Sequence, residues 1–86
     1  MRSLAQRSEV EERAKKFRLT RREVDVVTAV AAGESNKVIA EQLSVTEDTV
    51  KHHMSRVFDK LGVFSRLELA VFAINHKLVQ DVDLAG

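Results

Sequence analysis

Four residue types are absent from this chain: cysteine, proline, tryptophan and tyrosine. Without cysteine there are no disulfides and no thiolate metal sites, which fits a protein of the reducing cytoplasm. No apolar run approaches the ~20 residues that a membrane-spanning helix needs, so we expect no membrane partner. Hydrophobic residues still make up 44% of the 86 positions, enough for the core of one small globular domain.

The parts of a catalytic site are also missing. Glycine occurs only three times, which excludes a glycine-rich loop that could hold a phosphate, and no convincing pair of carboxylates is visible. His52 and His53 are adjacent and would point about 100° apart on a helix, so they do not form a metal pair. We therefore predict a protein that is not an enzyme and needs no cofactor or metal.

The net charge is only +1, but the basic residues are unevenly distributed. Residues 1–18 carry six Arg or Lys against three Glu, which gives this segment an excess of +3. Three acid–base pairs at the favourable i, i+4 spacing support a helix there: Glu9–Arg13, Glu11–Lys15 and Glu12–Lys16. Because its apolar stripe of Val10, Ala14 and Phe17 is thin, we interpret residues 1–18 as a charged linker or leading helix that docks weakly on the core; an ordinary solvated helix is the alternative.

Apolar residues recur at intervals of three and four with no sustained alternation, which predicts an all-α fold. Thr20 and Glu23 have the spacing of a capping box, with a hydrophobic staple between Leu19 and Val24, and this predicts a helix over 20–32 that ends at Gly33. The domain should extend over residues 19–79. The last seven residues, 80–86, should form a frayed tail.

Three further helices follow from similar start signals. Ser35 should cap a short helix, and Thr46 should cap a longer one that ends at Gly62. Ser65 and Glu68 repeat the capping box, with a staple from Phe64 to Leu69, and open a helix that reaches about residue 77. The expectation is a compact four-helix domain preceded by the charged segment.

The decisive feature is a short helix joined to a longer one by a tight turn, between residues 35 and 61. Ala40 is small enough for the two helices to approach closely, as a helix-turn-helix requires. The apolar residues spaced to fill the angle between them are Ile39, Leu43, Val45 and Val50. This arrangement leaves the outer face of the second helix free.

The helix over 46–61 has two contrasting faces when it is wound at about 100° per residue. The core arc comprises Val50, Met54, Val57, Phe58 and Leu61. The opposite arc comprises His52, Ser55, Arg56 and Asp59, with Lys51 at one margin and His53 and Lys60 at the other. Such a hydrogen-bonding face fits the major groove of DNA, and the alternative is an ordinary solvated helix surface.

These residues carry a resemblance. The run from Leu19 to Ala73 resembles the LuxR-type helix-turn-helix domain of bacterial transcription regulators, which is also found in NarL/FixJ response regulators. The matching segments are Leu19-Thr20-x-Arg22-Glu23, Gly33-x-Ser35-Asn36-Lys37-x-Ile39-Ala40, Thr49-Val50-Lys51 with His53, and Lys60-Leu61-Gly62-Val63 with Arg66. The chain departs from the pattern at Val38, where the family usually has an acid, and at Arg56, where it often has asparagine.

The resemblance implies a sequence-specific DNA-binding output domain whose third helix enters the major groove. By position, Lys51, His52 and Ser55 would approach bases. The positions that would approach phosphates are Asn36, Lys37, Thr46 and Thr49. From their place on the helix we add Arg56 and Lys60 as phosphate partners. RNA polymerase is a further partner that such a regulator could contact.

The last helix is apolar on two sides. We predict a core stripe of Leu67, Ala70, Val71, Ile74 and Leu78. The back face would then comprise Leu69, Phe72, Ala73 and His76, and the resemblance suggests that it pairs with a second copy to form a dimer on a pseudo-palindromic operator. Alternatively, residues 10–17 of the same chain cover this face.

Two other functions compete with this interpretation. A helical adaptor could bind another protein through the 69–76 face without binding DNA, and the acidic residues Glu47, Asp48 and Asp59 near the third helix favour it. A promoter-binding region similar to that of sigma factors shares the helix-turn-helix motif. It would leave the pattern from Lys60 to Arg66 unexplained.

Overall fold

The computed structural model of the chain describes residues 4–79, and all regular structure in that range is helical. The five helices are α1 (Leu4–Lys16), α2 (Arg21–Ala31), α3 (Asn36–Leu43), α4 (Glu47–Leu61) and α5 (Arg66–Asn75). The all-α helix-turn-helix fold is therefore confirmed, and the leading segment contributes a fifth helix. The tail predicted over 80–86 lies outside the described residues.

A hydroxyl side chain caps the N-terminus of each helix from α2 to α5. The cap residues are Thr20, Ser35, Thr46 and Ser65, and each side-chain oxygen accepts a hydrogen bond from the amide three residues later. All four predicted caps are confirmed. The capping satisfies amides at each helix start that have no intrahelical partner.

Left-handed residues end the helices. Gly33 and Gly62 have φ of 85° and 70°, as predicted for glycines that follow α2 and α4. Ser44 takes the same conformation at φ 57° although it carries a side chain. In that turn the amide of Val45 donates to the carbonyl of Ala40 at 3.0 Å, which brings α4 back across α3 within three residues.

The core lies where α2, α4 and α5 meet, with α3 packed against α4. Its fully buried side chains include Val26 and Val27 from α2, Ile39 from α3, and Val50 and Val57 from α4. Met54 and Leu61 are also buried and Phe58 packs against the core, so the predicted core arc of the third helix is confirmed.

Helix α1 contacts the segment that follows α5. Val10 and Ala14 are 7% and 3% exposed, and the Arg13 Nε donates to the carbonyl oxygen of Lys77 at 2.6 Å. Among residues 9–16, the ion pair that forms is Lys15 to Glu12 at 3.5 Å, an i, i+3 contact in place of the predicted i, i+4 pairs.

The predicted orientation of the last helix is wrong. Leu69 and Ala73, assigned to an outward dimer face, are completely buried in the core. Leu67, assigned to the core, is 75% exposed, and both Val71 and Ile74 are 48% exposed. The helix is apolar nearly all round, so its periodicity alone does not determine which side packs inward.

The other two residues of the predicted dimer face contact Phe17 of the leading segment, which leaves Phe72 half-buried and His76 exposed. Phe72 and His76 stack with ring centroids 4.0 Å apart, and the Phe17 ring meets both edge-on at 5.3 and 5.6 Å. Phe17 follows α1 directly. The alternative in which the leading segment covers this face is therefore borne out in part, at Phe72, whereas His76 is exposed.

The predicted features around Ser65 are only partly formed. The Ser65 hydroxyl accepts from the amide of Glu68, but the Glu68 carboxylate accepts from the amide of Phe64 at 3.4 Å and not from that of Ser65. Phe64 is 87% exposed, whereas Leu69 is buried, so the predicted staple between them is absent. None of the helices in the described part of the chain has the length and apolar character to cross a membrane.

Candidate nucleic-acid interface

Helices α3 and α4 form a helix-turn-helix in which the second helix presents one free side. Ala40 is 5% exposed and Ile39 is fully buried at the angle between the helices, where Leu43 and Val45 also pack. Because Val50, Met54 and Val57 attach α4 to the core, the opposite side of the helix faces solvent. The protein therefore holds an exposed helix on a rigid support, as a DNA-reading element requires.

The exposed side of α4 carries the residues predicted to approach bases. Lys51, His52 and Ser55 are all exposed, together with Arg56 and Asp59. They offer an ammonium, an imidazole, a hydroxyl and a guanidinium, which can meet the acceptors on base edges and phosphates. Among the described residues there is no group of three His, Cys, Asp or Glu side chains that could hold a metal ion.

The predicted phosphate contacts lie at the starts of two helices. Lys37 is exposed in the first turn of α3, next to the half-buried Asn36. At the start of α4, the hydroxyls of Thr46 and Thr49 are 3.0 Å apart, and the Thr46 hydroxyl accepts from the amide of Thr49. Hydroxyls, an amide and an ammonium at helix N-termini are suited to phosphate oxygens.

Lys60, predicted as a further phosphate partner, makes its contacts within the chain. Its Nζ donates to the Glu23 Oε1 at 2.6 Å and to the carbonyl oxygen of Arg18 at 2.9 Å. The Glu23 side chain is 1% exposed, so this ion pair ties the C-terminal half of α4 to the start of α2. Lys60 is therefore occupied with positioning the helix.

The charge state of Glu23 follows from this contact. Burial raises the pKa of its carboxyl group, but the hydrogen bond from Lys60, the hydrogen bond from the Thr20 amide and the charge of Lys60 together outweigh burial. The pKa is consequently held below its usual value, and the carboxylate stays ionised at neutral pH. The same carboxylate completes the capping box with Thr20, which confirms that prediction.

Arg66 makes the second long-range link to the interface. From the first turn of α5, its Nη1 donates to the Asn36 Oδ1 at 2.7 Å and approaches the Met54 Sδ at 3.5 Å. Its Nη2 donates to the carbonyl oxygen of Glu34. One guanidinium thus joins α5, the start of α3 and the core side of α4.

Sequence reasoning missed both links for the same reason. Lys60 and Glu23 are 37 residues apart, and Arg66 and Asn36 are 30 apart, so no local spacing indicates either pair. The available signal was the resemblance itself, since its motif includes all four positions. A charged residue in a motif can serve the fold as well as a ligand.

The exposed side of α5 forms a second surface, which we call the α5 stripe: Leu67, Val71 and Ile74, with Phe64 just before the helix. Among residues 9–79, these four are the exposed large hydrophobic residues. The adaptor interpretation had placed a binding face at residues 69–76. Of that face, Leu69 and Ala73 are buried in the core and Phe17 packs on Phe72, whereas His76 is exposed and Val71 and Ile74 of the α5 stripe lie in the same range. The adaptor interpretation remains an untested alternative.

Comparison with known proteins identifies what the interface is similar to. Residues 18–73 match the family model described as bacterial regulatory proteins, luxR family. The uncharacterized transcriptional regulatory protein YhcZ of Bacillus subtilis is 48% identical over 67 residues, which cover 78% of this chain and 31% of that protein. The transcriptional regulatory protein LiaR of the same organism is 41% identical over 61 residues, which cover 71% of this chain and 29% of that protein.

Two further matches extend over more of the chain. The response regulator protein VraR of Staphylococcus saprophyticus is 36% identical over 75 residues, covering 86% of this chain and 36% of VraR. A crystal structure of the phage VqmA–DPO complex superimposes with a TM-score of 0.71 at 26% identity, over 98% of this chain and 42% of that one. The chain thus spans about a third of the length of these curated relatives.

Proposed function

The chain belongs to the luxR family of bacterial regulatory proteins and carries its DNA-binding helix-turn-helix domain, and from this premise we propose that it reads a specific duplex sequence with α4. Lys51, His52 and Ser55 contact base edges in the major groove. Asn36, Lys37, Thr46, Thr49 and Arg56 contact the phosphate backbone. The observation that carries the proposal is the free, polar side of α4, held outward by its buried opposite side.

We further propose that the domain is the output module of a two-component response regulator. One of its relatives is described as a response regulator protein, and the similarity to it covers 86% of this chain. In such an arrangement the remaining part of the regulator controls when α4 reaches DNA. RNA polymerase is the partner that would convert operator binding into a change in transcription.

The proposed active form is a homodimer that pairs through the α5 stripe. Leu67, Val71 and Ile74 lie on one side of α5 and are all exposed. A two-fold interface brings the same patch of both copies together, so one apolar stripe suffices. Two recognition helices related by that axis would read half-sites roughly one helical turn apart.

The direct test of sequence reading is selection from random duplex DNA, repeated at two salt concentrations because phosphate contacts weaken as salt rises. We expect a two-fold symmetric site to be enriched. Enrichment of no sequence, with the residual binding lost at the higher salt, would contradict the proposal.

The base contacts are tested on the selected duplex. Lys51→Ala and His52→Ala should each weaken specific binding by about 1–3 kcal/mol and leave the fold unchanged. The matched control is Glu41→Ala, an exposed substitution on the outer side of α3. Equal affinities of all three variants and the wild type would refute the assignment of α4 as the reading helix.

The dimer is tested separately. Val71→Glu puts a charge in the middle of the α5 stripe, so it should abolish self-association in sedimentation and weaken binding to two half-sites far more than binding to one. Lys77→Glu, an exposed position beyond the helix end, is the control. Unchanged sedimentation of the Val71 variant would exclude this stripe as the interface.

A further inference from the structure

Arg66 and Asn36 form a contact whose chemistry bears on DNA binding. The Arg66 Nη1 donates to the Asn36 Oδ1 at 2.7 Å, and the Nη2 of the same group donates to the Glu34 carbonyl. Two donors of one planar group are therefore fixed on two acceptors at the start of α3. Lysine, a point charge with rotating donors, cannot reproduce that fork.

This contact determines which atom of the Asn36 carboxamide remains available. A guanidinium has only donors, so it selects the carboxamide oxygen and orients the Nδ2 group away from itself. Without this partner the carboxamide could rotate by 180° and present its oxygen, which a phosphate would repel. With it, Asn36 offers two N–H donors at a helix start, which is the form that a phosphate oxygen accepts.

Arg66 is poorly placed to be a phosphate ligand in its own right. Its side chain is half-buried, and it also approaches the Met54 Sδ at 3.5 Å on the core side of α4. Lys37, in contrast, is exposed beside Asn36, and the Arg66 hydrogen bond is made with Asn36. The two neighbours on α3 thus differ in their dependence on α5.

We propose that Arg66 is a positioning residue for DNA binding: it holds the Asn36 carboxamide with its Nδ2 group toward a backbone phosphate of the duplex. This inference rests on the proposed function. It adds that a residue in the first turn of α5 orients the α3 side chain that makes one of the phosphate contacts.

A double-mutant cycle tests the proposal on a mixed-sequence 20-base-pair duplex at low salt, because a phosphate contact requires no operator. Asn36→Ala and Arg66→Lys should each lower the affinity, by roughly 5- to 20-fold, and the double variant should be no weaker than Asn36→Ala alone. If the two fold-changes in affinity multiply in the double variant, Arg66 acts independently of Asn36, and the proposal is overturned.

The matched control pairs Arg66→Lys with Lys37→Ala, whose effects should multiply. Arg66→Met, which removes the positive charge, should leave the slope of log affinity against log salt unchanged, because Arg66 itself neutralises no phosphate. A slope reduced by about 0.9 would instead identify Arg66 as a direct phosphate ligand and contradict the proposal. Thermal melting checks that each variant folds.

A measurement on the wild type covers the case in which Arg66→Lys does not fold. In the ¹⁵N-labelled chain, the Nδ2 hydrogens of Asn36 should shift when the duplex is added. A shift of the Lys37 amide without one at the Asn36 Nδ2 would overturn the inference.

The outcomes separate this inference from the function on which it rests. Coupling in the cycle without enrichment of any sequence would refute sequence reading and support the role of Arg66. Enrichment of a site with independent effects in the cycle would support the function and refute the role of Arg66. No binding to any duplex would contradict both.

Discussion

Two helix starts in this chain share one sequence pattern and differ in structure. Residues 19–23 and 64–68 both consist of a hydrophobic residue, a hydroxyl residue, arginine, one further residue and glutamate. At the first start, Leu19 is buried and Glu23 is 1% exposed beside Lys60. At the second, Phe64 is 87% exposed and the Glu68 carboxylate remains at the surface.

The two helix starts show which contacts depend on the local sequence and which depend on tertiary packing. In both places the hydroxyl accepts a hydrogen bond from the glutamate amide, because that contact lies within one helical turn. The position of the glutamate carboxylate depends on what lies around it. Lys60 approaches the first carboxylate from 37 residues away, whereas the second has no cation within ion-pair distance among the described residues.

The largest effect should come from removing the cation at the first start. Lys60→Met leaves the Glu23 carboxylate buried without its charged partner, and we expect the free energy of unfolding to fall by about 3–5 kcal/mol in urea denaturation. Lys51→Met, an exposed lysine on the same helix, should change stability by no more than about 0.5 kcal/mol. Similar losses in both variants would show that the ion pair does not stabilise the fold.

The same ion pair predicts a dependence on acid. The folded pKa of Glu23 lies below its usual value, so the unfolded chain binds more protons and stability falls as pH drops from about 4.5 through the folded pKa. Glu23→Gln removes this titration, and its unfolding free energy should depend less on pH over that range. Parallel pH profiles of the variant and the wild type would contradict the assigned pKa shift.

The third prediction concerns the two sides of α5. Leu69→Ala should cost about 2–5 kcal/mol of stability because it leaves a cavity at a fully buried position. Leu67→Ala, at a position 75% exposed, should cost about 0.5 kcal/mol or less when measured at low protein concentration. A larger loss for Leu67 than for Leu69 would mean that the opposite side of α5 packs inward.

The smallest effects should come from the caps themselves. Thr20→Ala breaks a capping box with both hydrogen bonds formed, and it should cost about 1–2 kcal/mol. Ser65→Ala breaks a single hydrogen bond, so about 0.5–1 kcal/mol is expected. Thermal unfolding measures the loss of stability in each variant. If Ser65→Ala costs as much as Thr20→Ala or more, the two helix starts do not differ in the way described.

Most of the fold could be predicted from the sequence because its signals are local. The four hydroxyl caps and the two glycine ends lie within one turn of the residues that they satisfy. The inward face of α4 was also predictable, since its apolar residues form one arc against charged neighbours. These features needed no knowledge of what packs against them.

The orientation of α5 and the role of Lys60 could not be predicted in this way. From Leu67 to Ile74 every residue except Glu68 is apolar, so the helix has no polar side to indicate the surface. Leu78, predicted in the core stripe, is buried as expected, and it follows Lys77, which has a left-handed φ of 54°. The contacts of Lys60 depend on the Glu23 carboxylate, which is 37 residues away and does not appear on a helical wheel of α4.

The most direct test of the central proposal is the change in amide chemical shifts of the ¹⁵N-labelled chain when the selected duplex is added. We predict that the largest shifts occur at Lys51, His52 and Ser55 on the exposed side of α4, with smaller ones at the start of α3. Shifts confined to the α5 stripe, with α4 unchanged, would contradict the assignment of α4 as the helix that reads DNA.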